Sequence, residues 1–520
     1  MNTQIKIYKS LGAKPSIYVE VNGEDATLEL ELYLDSNLLE RVSNKSTNHL
    51  FRIEKSGKYG VSAKSNNITL RSNEIVFYDH DLQPLKERYP VIDYGEGFYI
   101  EIKIKKGAAS LLENKVNKLK RNVSLTAKPI NTASFPSWHS IHDFEYYVIR
   151  QGLGRAEVNE FCLQLENMDY VEYCAPAPVV DNLLPPFIEG VDKSKSVYDD
   201  SANDNTPDYS MLQGYLDEPK GMNIRNVWQS DNTGQLAVIR HLDFGVYKDH
   251  EDFQEGNIIV VTNRLETEDC NHGTASVGCI SAGKNSFGVA GIAHSSLLYF
   301  YNTGDLNKIV EQANPGDIVS LDIQWNTQHG YIPAIGIRSW WDKIKILTEK
   351  QVIVIMAAGN GNNDLSNTTI CPDYGESGGI LVGACKSADG RRRSSSNYGH
   401  YTFTINSWGE NVTTAGYGRL QDKPGYNRDY THTYSGTSSA TPLCAGALAL
   451  LQSHAKRRGI LLTPETMKLV LESSNYTEGE VDGIGKRPNV EQLIGVIDHL
   501  FFPGPGNNNP NNNRRQPRPL

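Results

Sequence analysis

The sequence predicts an α/β fold: a parallel sheet with helices on both faces, preceded by a small α/β module and by an N-terminal β-rich domain. Three patterns predict it. Apolar strands alternate with helical stretches across residues 205–500, the order that builds a parallel sheet covered on both faces. Residues 125–182 have the order strand, helix, strand. Residues 1–120 contain short runs in which apolar and polar residues alternate, the period of half-buried strands.

The composition restricts the classes of function. The chain has 520 residues and a net charge of -10, and a chain of this kind lacks the basic surface of a nucleic-acid-binding protein. No run approaches the roughly eighteen apolar residues of a membrane span, so we expect no membrane partner. The N-terminus has no apolar secretory signal, and the seven cysteines form no CxxC pair. Both features favour a cytoplasmic location with reduced thiols.

Residues 1–120 form the predicted β-rich domain, whose role the sequence leaves open. Alternating runs occur at residues 17–21 and 98–104. The lysine-rich stretch at residues 103–121 is either a charged partner surface or, as we expect, a solvated helix or linker. The domain is the candidate binding surface for an activating or regulatory protein.

The strand, helix, strand module at residues 125–182 is followed by a predicted flexible connector at residues 183–204, in which a polar segment rich in Asp, Ser, Asn and Lys begins at Asp192 and continues to Asp208. The last residues, 501–520, are mostly Pro, Asn and Arg, and we expect them to be disordered. The predicted elements of the module are a strand at 145–150, a helix at 154–166 and a strand at 168–176.

The α/β domain spans residues 205–500. Its apolar runs are the length of buried strands and are separated by helical stretches. The predicted strands are residues 236–243, 257–262, 316–323, 351–357 and 379–384.

Ser438 begins an apolar, alanine-rich helical stretch within the motif Gly-Thr-Ser-Ser-Ala-Thr-Pro. The first turn of a helix has unpaired N–H groups and a positive dipole end, which would stabilise a negative charge developing beside the serine. A helix-capping serine is the structural alternative, and for an isolated serine it is the commoner one.

A serine nucleophile needs a base and a group that orients the base. His272 lies at the head of a small-residue helical stretch, and Gly273 permits close approach of a neighbouring backbone. Asp243 ends an apolar strand at the carboxyl edge of the predicted sheet, where open α/β sheets place their sites. Taken singly, His272 is equally a helix cap or surface residue, and Asp243 a turn residue.

Asn360 ends a second buried strand, in the sequence Ala-Ala-Gly-Asn-Gly. Its side-chain amide is suited to donate a hydrogen bond to an oxyanion. Asparagine beside glycine is otherwise a turn signal.

The four residues occur in the order Asp243, His272, Asn360, Ser438, and with their motifs the chain resembles the subtilisin family of serine proteases (subtilases, peptidase family S8). The matching motifs are Asp-x-Gly, His-Gly-Thr, Ala-Ala-Gly-Asn and Gly-Thr-Ser-x-Ala-x-Pro. The resemblance covers about residues 205–480, roughly half the chain. It implies a subtilisin-like sheet, with Ser438 as nucleophile, His272 as general base, Asp243 orienting the histidine and Asn360 in the oxyanion site.

By the same resemblance, residues 125–182 look like the family's N-terminal propeptide, an inhibitor and folding chaperone. Processing would then fall between about residues 176 and 210. An unrelated packing domain is the alternative.

The chain departs from the family pattern near the aspartate and in the specificity pocket. Phe244 follows Asp243 where the family usually has Ser or Thr, and the polar pair Arg240 and His241 precedes it. Asp322 stands where the family has a small pocket residue, and would either enter the pocket, favouring a basic P1 side chain, or turn outward. The substrate-binding residues that the resemblance implies are Ser320, Leu321, Asp322 and Gly359.

A calcium site is a further expectation from the resemblance. Asp252 and the loop at residues 283–289 resemble the family's calcium loop, with Asp252 and Asn285 as side-chain ligands. Lys284 in the same loop counts against the site. No cofactor is required for the expected chemistry.

The predicted function is hydrolysis of peptide bonds in protein or peptide substrates through an acyl-enzyme on Ser438, restrained by the N-terminal region. The alternative is a catalytically inactive or partner-activated protein of subtilisin fold. A transpeptidase, which passes the acyl group to an amine, is a third option, but the sequence shows no inserted element to shield the site from water.

Overall fold

The structure is a computed structural model that divides into two compact units, residues 1–178 with 372–374, and residues 179–371 with 375–520. The residues it describes are 4–10, 15–22, 28–44, 48–65, 68–82, 98–105, 107–119, 129–130, 144–149, 155–178, 183–184, 205–254, 257–327, 329–399 and 402–502.

Seven strands open the first unit and form two antiparallel sheets, in the orders β1-β2-β5 and β4-β3-β6-β7. Buried apolar residues recur at every second position along several of them, as with Ile17 and Val19 of β2 or Leu30 and Leu32 of β3, so that one face of these strands is apolar. This agrees with the β-rich region predicted from period-two patterns. The strands are β1 (Gln4–Ser10), β2 (Ser16–Asn22), β3 (Leu28–Leu34), β4 (Asn37–Asn44), β5 (Asn48–Arg52), β6 (Gly57–Ser65) and β7 (Ile68–Phe77).

The rest of the first unit is a four-stranded antiparallel sheet, in the order β11-β8-β10-β9, with two helices. Its elements are β8 (Phe98–Lys105), α1 (Ala109–Leu119), β9 (Pro129–Ile130), β10 (Phe144–Ile149), α2 (Arg155–Glu166) and β11 (Val171–Pro178). Within the lysine-rich stretch at 103–121, residues 103–105 end β8 and residues 109–119 form helix α1, whose Leu112 and Val116 are buried.

The boundary predicted near residue 120 differs from this arrangement. Strand β8 pairs with β10 and β11, so it belongs to the second sheet and not to the β-rich region. Ile100, Ile102 and Ile104 are fully buried in one cluster with residues of α1 and α2. Alternation along β8 shows that it is a strand, but the choice of partner strands depends on contacts that are distant in sequence.

The second unit contains a seven-stranded parallel sheet in the order β14-β15-β13-β16-β19-β20-β21. The predicted α/β architecture is confirmed, and each predicted strand lies within two residues of an observed one. The sheet strands are β13 (Val238–Asp243), β14 (Ile258–Val260), β15 (Leu297–Asn302), β16 (Ile318–Leu321), β19 (Ile353–Ala357), β20 (Ile380–Cys385) and β21 (Thr404–Trp408).

Helices pack against this sheet, and the longest lies along five of its strands, β13, β16, β19, β20 and β21. None of the helices in the described ranges is long and apolar enough to cross a membrane. The helices of this unit are α3 (Ile224–Gln229), α4 (Asn271–Ser281), α5 (Leu306–Gln312), α6 (Arg338–Glu349), α7 (Thr437–Arg457), α8 (Pro464–Glu472) and α9 (Val490–Phe501).

Two small sheets complete the unit. One is a hairpin of β22 (Val412–Ala415) and β23 (Tyr430–Tyr434). The other has the order β12-β17-β18, formed by β12 (Leu183–Leu184), β17 (Gln324–Thr327) and β18 (Gly330–Ile332). Strand β12 falls inside the predicted connector; residues 185–204 and the predicted tail beyond residue 502 lie outside the described residues.

The register of the parallel sheet brings three strand ends together. Leu242 of β13 lies opposite Leu321 of β16, which in turn lies opposite Met356 of β19. The residues that follow, Asp243, Asp322 and the turn at 358–360, therefore share one carboxyl edge. Helices α4 and α7 pack against each other, and both contact β13.

Candidate active site

Ser438 is the second residue of helix α7 and is fully buried. The preceding Gly436 has φ 85°, and a Cβ there would lie 2.9 Å from the Asn360 Nδ2, so this turn needs glycine. The turn directs the serine at His272, whose Nε2 lies 2.8 Å from the Ser438 Oγ. The helix start predicted from the sequence is therefore where the hydroxyl meets its histidine.

His272 is the second residue of α4, and its other ring nitrogen, Nδ1, lies 2.5 Å from the Asp243 Oδ1. The helix approaches strand β13 closely, because a Cβ on Gly273 would lie only 2.0 Å from the carbonyl oxygen of Gly245. The imidazole packs edge-on against the rings of Phe244 and Tyr434, with ring centroids 5.7 and 5.8 Å away. Phe244, a departure from the family pattern, thus helps to hold the histidine.

Asp243 ends β13 and is fully buried. Its Oδ1 also accepts a hydrogen bond from the backbone N–H of Phe244 at 2.6 Å, and its Oδ2 lies 3.0 Å from the Nε2 of His241. Burial opposes ionisation, but the neighbouring His272 and the hydrogen bonds from both imidazoles outweigh it. The pKa of the Asp243 carboxyl is therefore held well below its usual range, and it is an anion at neutral pH.

Asn360 follows β19, and its side-chain Oδ1 accepts a hydrogen bond from the backbone N–H of Thr437 at 3.0 Å. This contact leaves the Nδ2 as the donor, and the Nδ2 is buried without a hydrogen-bond partner among the described residues. An unpaired buried donor beside the start of α7 is what an oxyanion site requires.

Two residues that sequence patterns did not reveal hold the turn that carries Asn360. The Gln324 Oε1 accepts from the backbone N–H of Asn360 at 2.9 Å. The side chain of Asn397 accepts from the N–H of Gly361 and Asn363 and donates to the carbonyl of Ala358. Only the folded chain brings Asn397, 39 residues from Ala358, to this turn.

Asp322 neither turns outward nor reaches solvent. Its side chain is fully buried, and its Oδ2 accepts a hydrogen bond from the Ser276 Oγ of α4 at 2.9 Å. Ser276 in turn contacts the hydroxyl of Tyr434 at 2.8 Å. Burial and the nearby Asp243 raise the pKa of Asp322 well above its usual value. Of the two orientations that the sequence leaves open, the outward one is not observed, because the carboxyl lies under helix α4.

The other expected pocket residues occupy the strand ends. Ser320 and Leu321 lie inside β16 with buried side chains, between β13 and β19. Gly359 lies in the turn held by Asn397, whose backbone N–H donates to the Gly359 carbonyl at 2.9 Å. A part for these residues in binding substrate stays a prediction.

The residues expected to bind calcium do come together. Asp252 is fully buried, and Asn285 and the backbone N–H of Val289 donate to its two carboxylate oxygens at 3.1 and 2.8 Å. Burial raises the pKa of Asp252 to about 7, and in the described part of the chain it has no ion pair. Lys284 points away, its ammonium lying over the Trp228 ring.

The oxygen-bearing side chains of Asp252 and Asn285 suit the binding of a cation. Among the described residues the buried Asp252 carboxylate has no ion pair, and it lies beside the amide of Asn285, which offers a second oxygen of the kind that calcium binds. A cation held by Asp252 and Asn285 would supply the missing charge.

Comparison with known proteins gives a consistent picture. The model of the subtilase family, Peptidase_S8, matches residues 193–496. A calcium-dependent protease of Trichormus variabilis is 26% identical over 325 residues, covering 52% of this chain and 45% of that protein. A thermostable alkaline protease of Halalkalibacterium halodurans is 28% identical, covering 45% and 63%. Subtilisin of Bacillus pumilus is 29% identical, covering 42% and 78%.

The chain thus spans about half the length of the first of these relatives. Among solved structures, the self-cleaved protease domain of PatA is similar with 22% identity and a TM-score of 0.40, over 51% of this chain and 97% of that one.

Proposed function

This chain belongs to the subtilase family, and from that premise we propose that it is a serine endopeptidase that hydrolyses peptide bonds in proteins through an acyl-enzyme on Ser438. One observation carries the proposal: an unbroken hydrogen-bond chain from the Ser438 Oγ through His272 to Asp243, with contacts of 2.8 and 2.5 Å. Nucleophile, base and orienting carboxylate in this order are the requirement for activating a serine.

In the proposed mechanism, the Ser438 Oγ attacks the scissile carbonyl carbon while its proton passes to the His272 Nε2. Asp243, an anion at neutral pH, stabilises the imidazolium without taking its proton. The Asn360 Nδ2 and the backbone N–H of Ser438 donate to the oxyanion. His272 then protonates the leaving amine, and water, deprotonated by the same histidine, releases the acyl group.

We propose further that the N-terminal side of the chain restrains the enzyme. The Ser438 side chain is fully buried and His272 is only 4% exposed in the full chain, which supports a covered nucleophile. Leu183 and Leu184 pair antiparallel with Trp325 and Gln324, and Gln324 holds the Asn360 turn. The segment at 183–184 therefore takes up the edge of a strand next to the oxyanion residue, where an extended substrate would pair.

The buried nucleophile also favours a second candidate function, a protein of subtilisin fold that becomes active only with a partner. In that case a protein bound by residues 1–120 would release the restraint, and cleavage would not be needed. An inactive protein is disfavoured by the free donor on Asn360 and the intact contacts of His272.

Two further proposals concern the cellular compartment of the enzyme and its binding of calcium. All seven cysteines are buried and none forms a disulfide, which supports work in a reducing compartment such as the cytoplasm. Calcium, held by Asp252 and Asn285, would stabilise the fold and take no part in the chemistry.

The test is labelling with a fluorophosphonate, followed by intact mass. The full chain is compared with protein cut by limited proteolysis between residues 176 and 210, each as wild type and as Ser438→Ala. We expect one adduct on cut wild type, much less on the full chain, and none on Ser438→Ala. Equal labelling of full and cut protein would refute the restraint, and no adduct on either would refute the hydrolase.

A further inference from the structure

His241 lies two residues before Asp243 on strand β13, and both side chains are fully buried on the same face of the strand. Its Nε2 lies 3.0 Å from the Asp243 Oδ2. We propose that His241 is a positioning residue for the catalytic aspartate: it donates its Nε2 proton to the Asp243 Oδ2 and shares the charge of that carboxylate with His272. The inference rests on the proposed function of Ser438.

The proton on His241 can be located from its contacts. Asp243 is ionised and can only accept, so the His241 Nε2 must carry a hydrogen. The His241 Nδ1 is buried and has no hydrogen-bond partner among the described residues, so a second proton there would be unsatisfied. The geometry therefore favours a neutral His241 with its hydrogen on Nε2.

The same contacts fix the orientation of the aspartate. Each oxygen of Asp243 has its own imidazole, His272 on Oδ1 and His241 on Oδ2. No other described contact is made to Oδ2. Without His241, one oxygen of a fully buried carboxylate would be unpaired, and the group would be free to rotate away from His272.

Asp322 lies close to both His241 and Asp243. One ring nitrogen of His241 and one oxygen of each of Asp243 and Asp322 lie within 4.8 Å of one another. Burial and the neighbouring Asp243 raise the pKa of the Asp322 carboxyl well above the usual value. Asp243 is the carboxylate that both imidazoles contact.

The other groups around His241 add no charge at neutral pH. Phe300 of β15 packs with its ring centroid 6.0 Å from that of His241, and Ser320 of β16 lies opposite in the sheet. Burial raises the pKa of Tyr417 and Tyr434 well above the usual value. The adjacent Arg240 pairs with Asp317 and donates to the Tyr301 hydroxyl. The polar and titratable side chains near His241 and Asp243 are those of His272, Ser276, Ser320, Asp322, Tyr417 and Tyr434, and Arg240 and Asp317 form the neighbouring ion pair.

Sharing the carboxylate has one consequence for catalysis. The carboxylate is held in one orientation, which keeps the 2.5 Å contact to His272.

The experiment compares His241→Leu, which removes the donor, with His241→Gln, whose amide can reach the position of Nε2. His454→Leu is the matched control, since His454 also contacts a carboxylate, Asp498, at 2.8 Å, but lies near the end of α7. The readout is the rate of inactivation by a fluorophosphonate against pH, on protein cut between residues 176 and 210, corrected for the folded fraction.

We expect His241→Leu to react roughly tenfold to a hundredfold more slowly at its plateau, because the aspartate is misplaced. His241→Gln should restore most of the rate, and His454→Leu should not change it. An unchanged plateau rate in His241→Leu, or equal behaviour of the Leu and Gln variants, would overturn the inference.

If the wild type shows no labelling at any pH, the proposed function fails, and the inference is decided separately by NMR of protein with ¹⁵N-labelled histidine. We expect His241 to carry its proton on Nε2 alone at neutral pH, and the hydrogen-bonded Nδ1 proton of His272 to shift in His241→Leu. A proton on the Nδ1 of His241, or an unchanged His272 signal in the variant, would contradict the shared carboxylate.

Discussion

Gln324 and Asn360 are joined by a hydrogen bond of 2.9 Å, from the backbone N–H of Asn360 to the side-chain oxygen of Gln324. Gln324 also lies opposite Leu184 in the small antiparallel sheet. One residue therefore links the turn that carries the proposed oxyanion donor to the strand covered by the N-terminal side of the chain. Gln324 contacts the Asn360 turn through its side chain and pairs with β12 as part of strand β17.

Replacing Gln324 should slow catalysis without abolishing it. Gln324→Ala removes the acceptor that holds the Asn360 turn, and we expect a loss of roughly tenfold to a hundredfold in the rate of fluorophosphonate labelling of cut protein. Gln324→Glu keeps an acceptor oxygen and should lose much less. If both variants label like the wild type, the contact does not position Asn360.

Removing the amide of Asn360 should remove the proposed stabilisation of the oxyanion. For Asn360→Ala we expect a fall of about 10²- to 10³-fold in turnover of a protein substrate such as casein, at an unchanged thermal stability. Asn360→Asp, which puts a negative charge beside the oxyanion, should be at least as slow. Wild-type turnover by either variant would exclude this residue from the oxyanion site.

Disrupting β12 should expose the nucleophile of the full chain. We expect the double change Leu183→Asp and Leu184→Asp to raise the labelling rate of uncut protein about tenfold, equivalent to about 1.4 kcal/mol of lost docking energy. Leu236→Asp is the control, since Leu236 is already 46% exposed. An unchanged rate in the double variant would show that this pairing does not restrain the enzyme.

Calcium should stabilise the protein mainly above neutral pH. The folded pKa of Asp252, about 7, is raised above its unfolded value of about 3.9. Without metal, the stability that this group contributes is complete below about pH 4 and is lost as the pH rises through about 7. A cation competes with the proton, so its effect should appear once the carboxyl ionises.

The measurement is the Tm in CaCl₂ and in EGTA at pH 5.5 and pH 8. We expect calcium to raise the Tm of the wild type more at pH 8, and to have no effect on Asp252→Asn. In EGTA at pH 8, Asp252→Asn should be the more stable protein. An identical response of both proteins to calcium would place any cation elsewhere.

Two helical glycines should respond oppositely to alanine. A Cβ on Gly273 would lie 2.0 Å from the carbonyl oxygen of Gly245, so Gly273→Ala must push α4 from β13, at about 1–3 kcal/mol. Gly495 in α9 has open space, and Gly495→Ala should stabilise by up to about 1 kcal/mol. Chemical denaturation measures both, and labelling should fall only in Gly273→Ala. A Gly273→Ala protein with wild-type stability and labelling would contradict the close approach.

The sequence by itself determined the class of fold and the positions of the four proposed catalytic residues. Asp243 and Asn360 follow apolar strands and His272 and Ser438 begin helices, and these are local patterns that a short window contains. Five of the seven strands of the parallel sheet are predicted to within two residues for the same reason, whereas β15 and β21 are not predicted. Their meeting at one edge follows from the parallel sheet that the alternation of strands and helices predicts.

Only the tertiary structure decided what surrounds those residues. Whether Asp322 faces solvent or helix α4 depends on Ser276, 46 residues away, and the unpaired Nδ2 of Asn360 depends on Thr437, 77 residues away. The alternation pattern assigns strand β8 to the β-rich region, but β8 pairs with β10 and β11, because alternation gives no information about partner strands. Segments distant in sequence determine which side chains are buried and which form hydrogen bonds. Burial raises the pKa of Asp322, and folding brings His241 to Asp243 as its second hydrogen-bond partner.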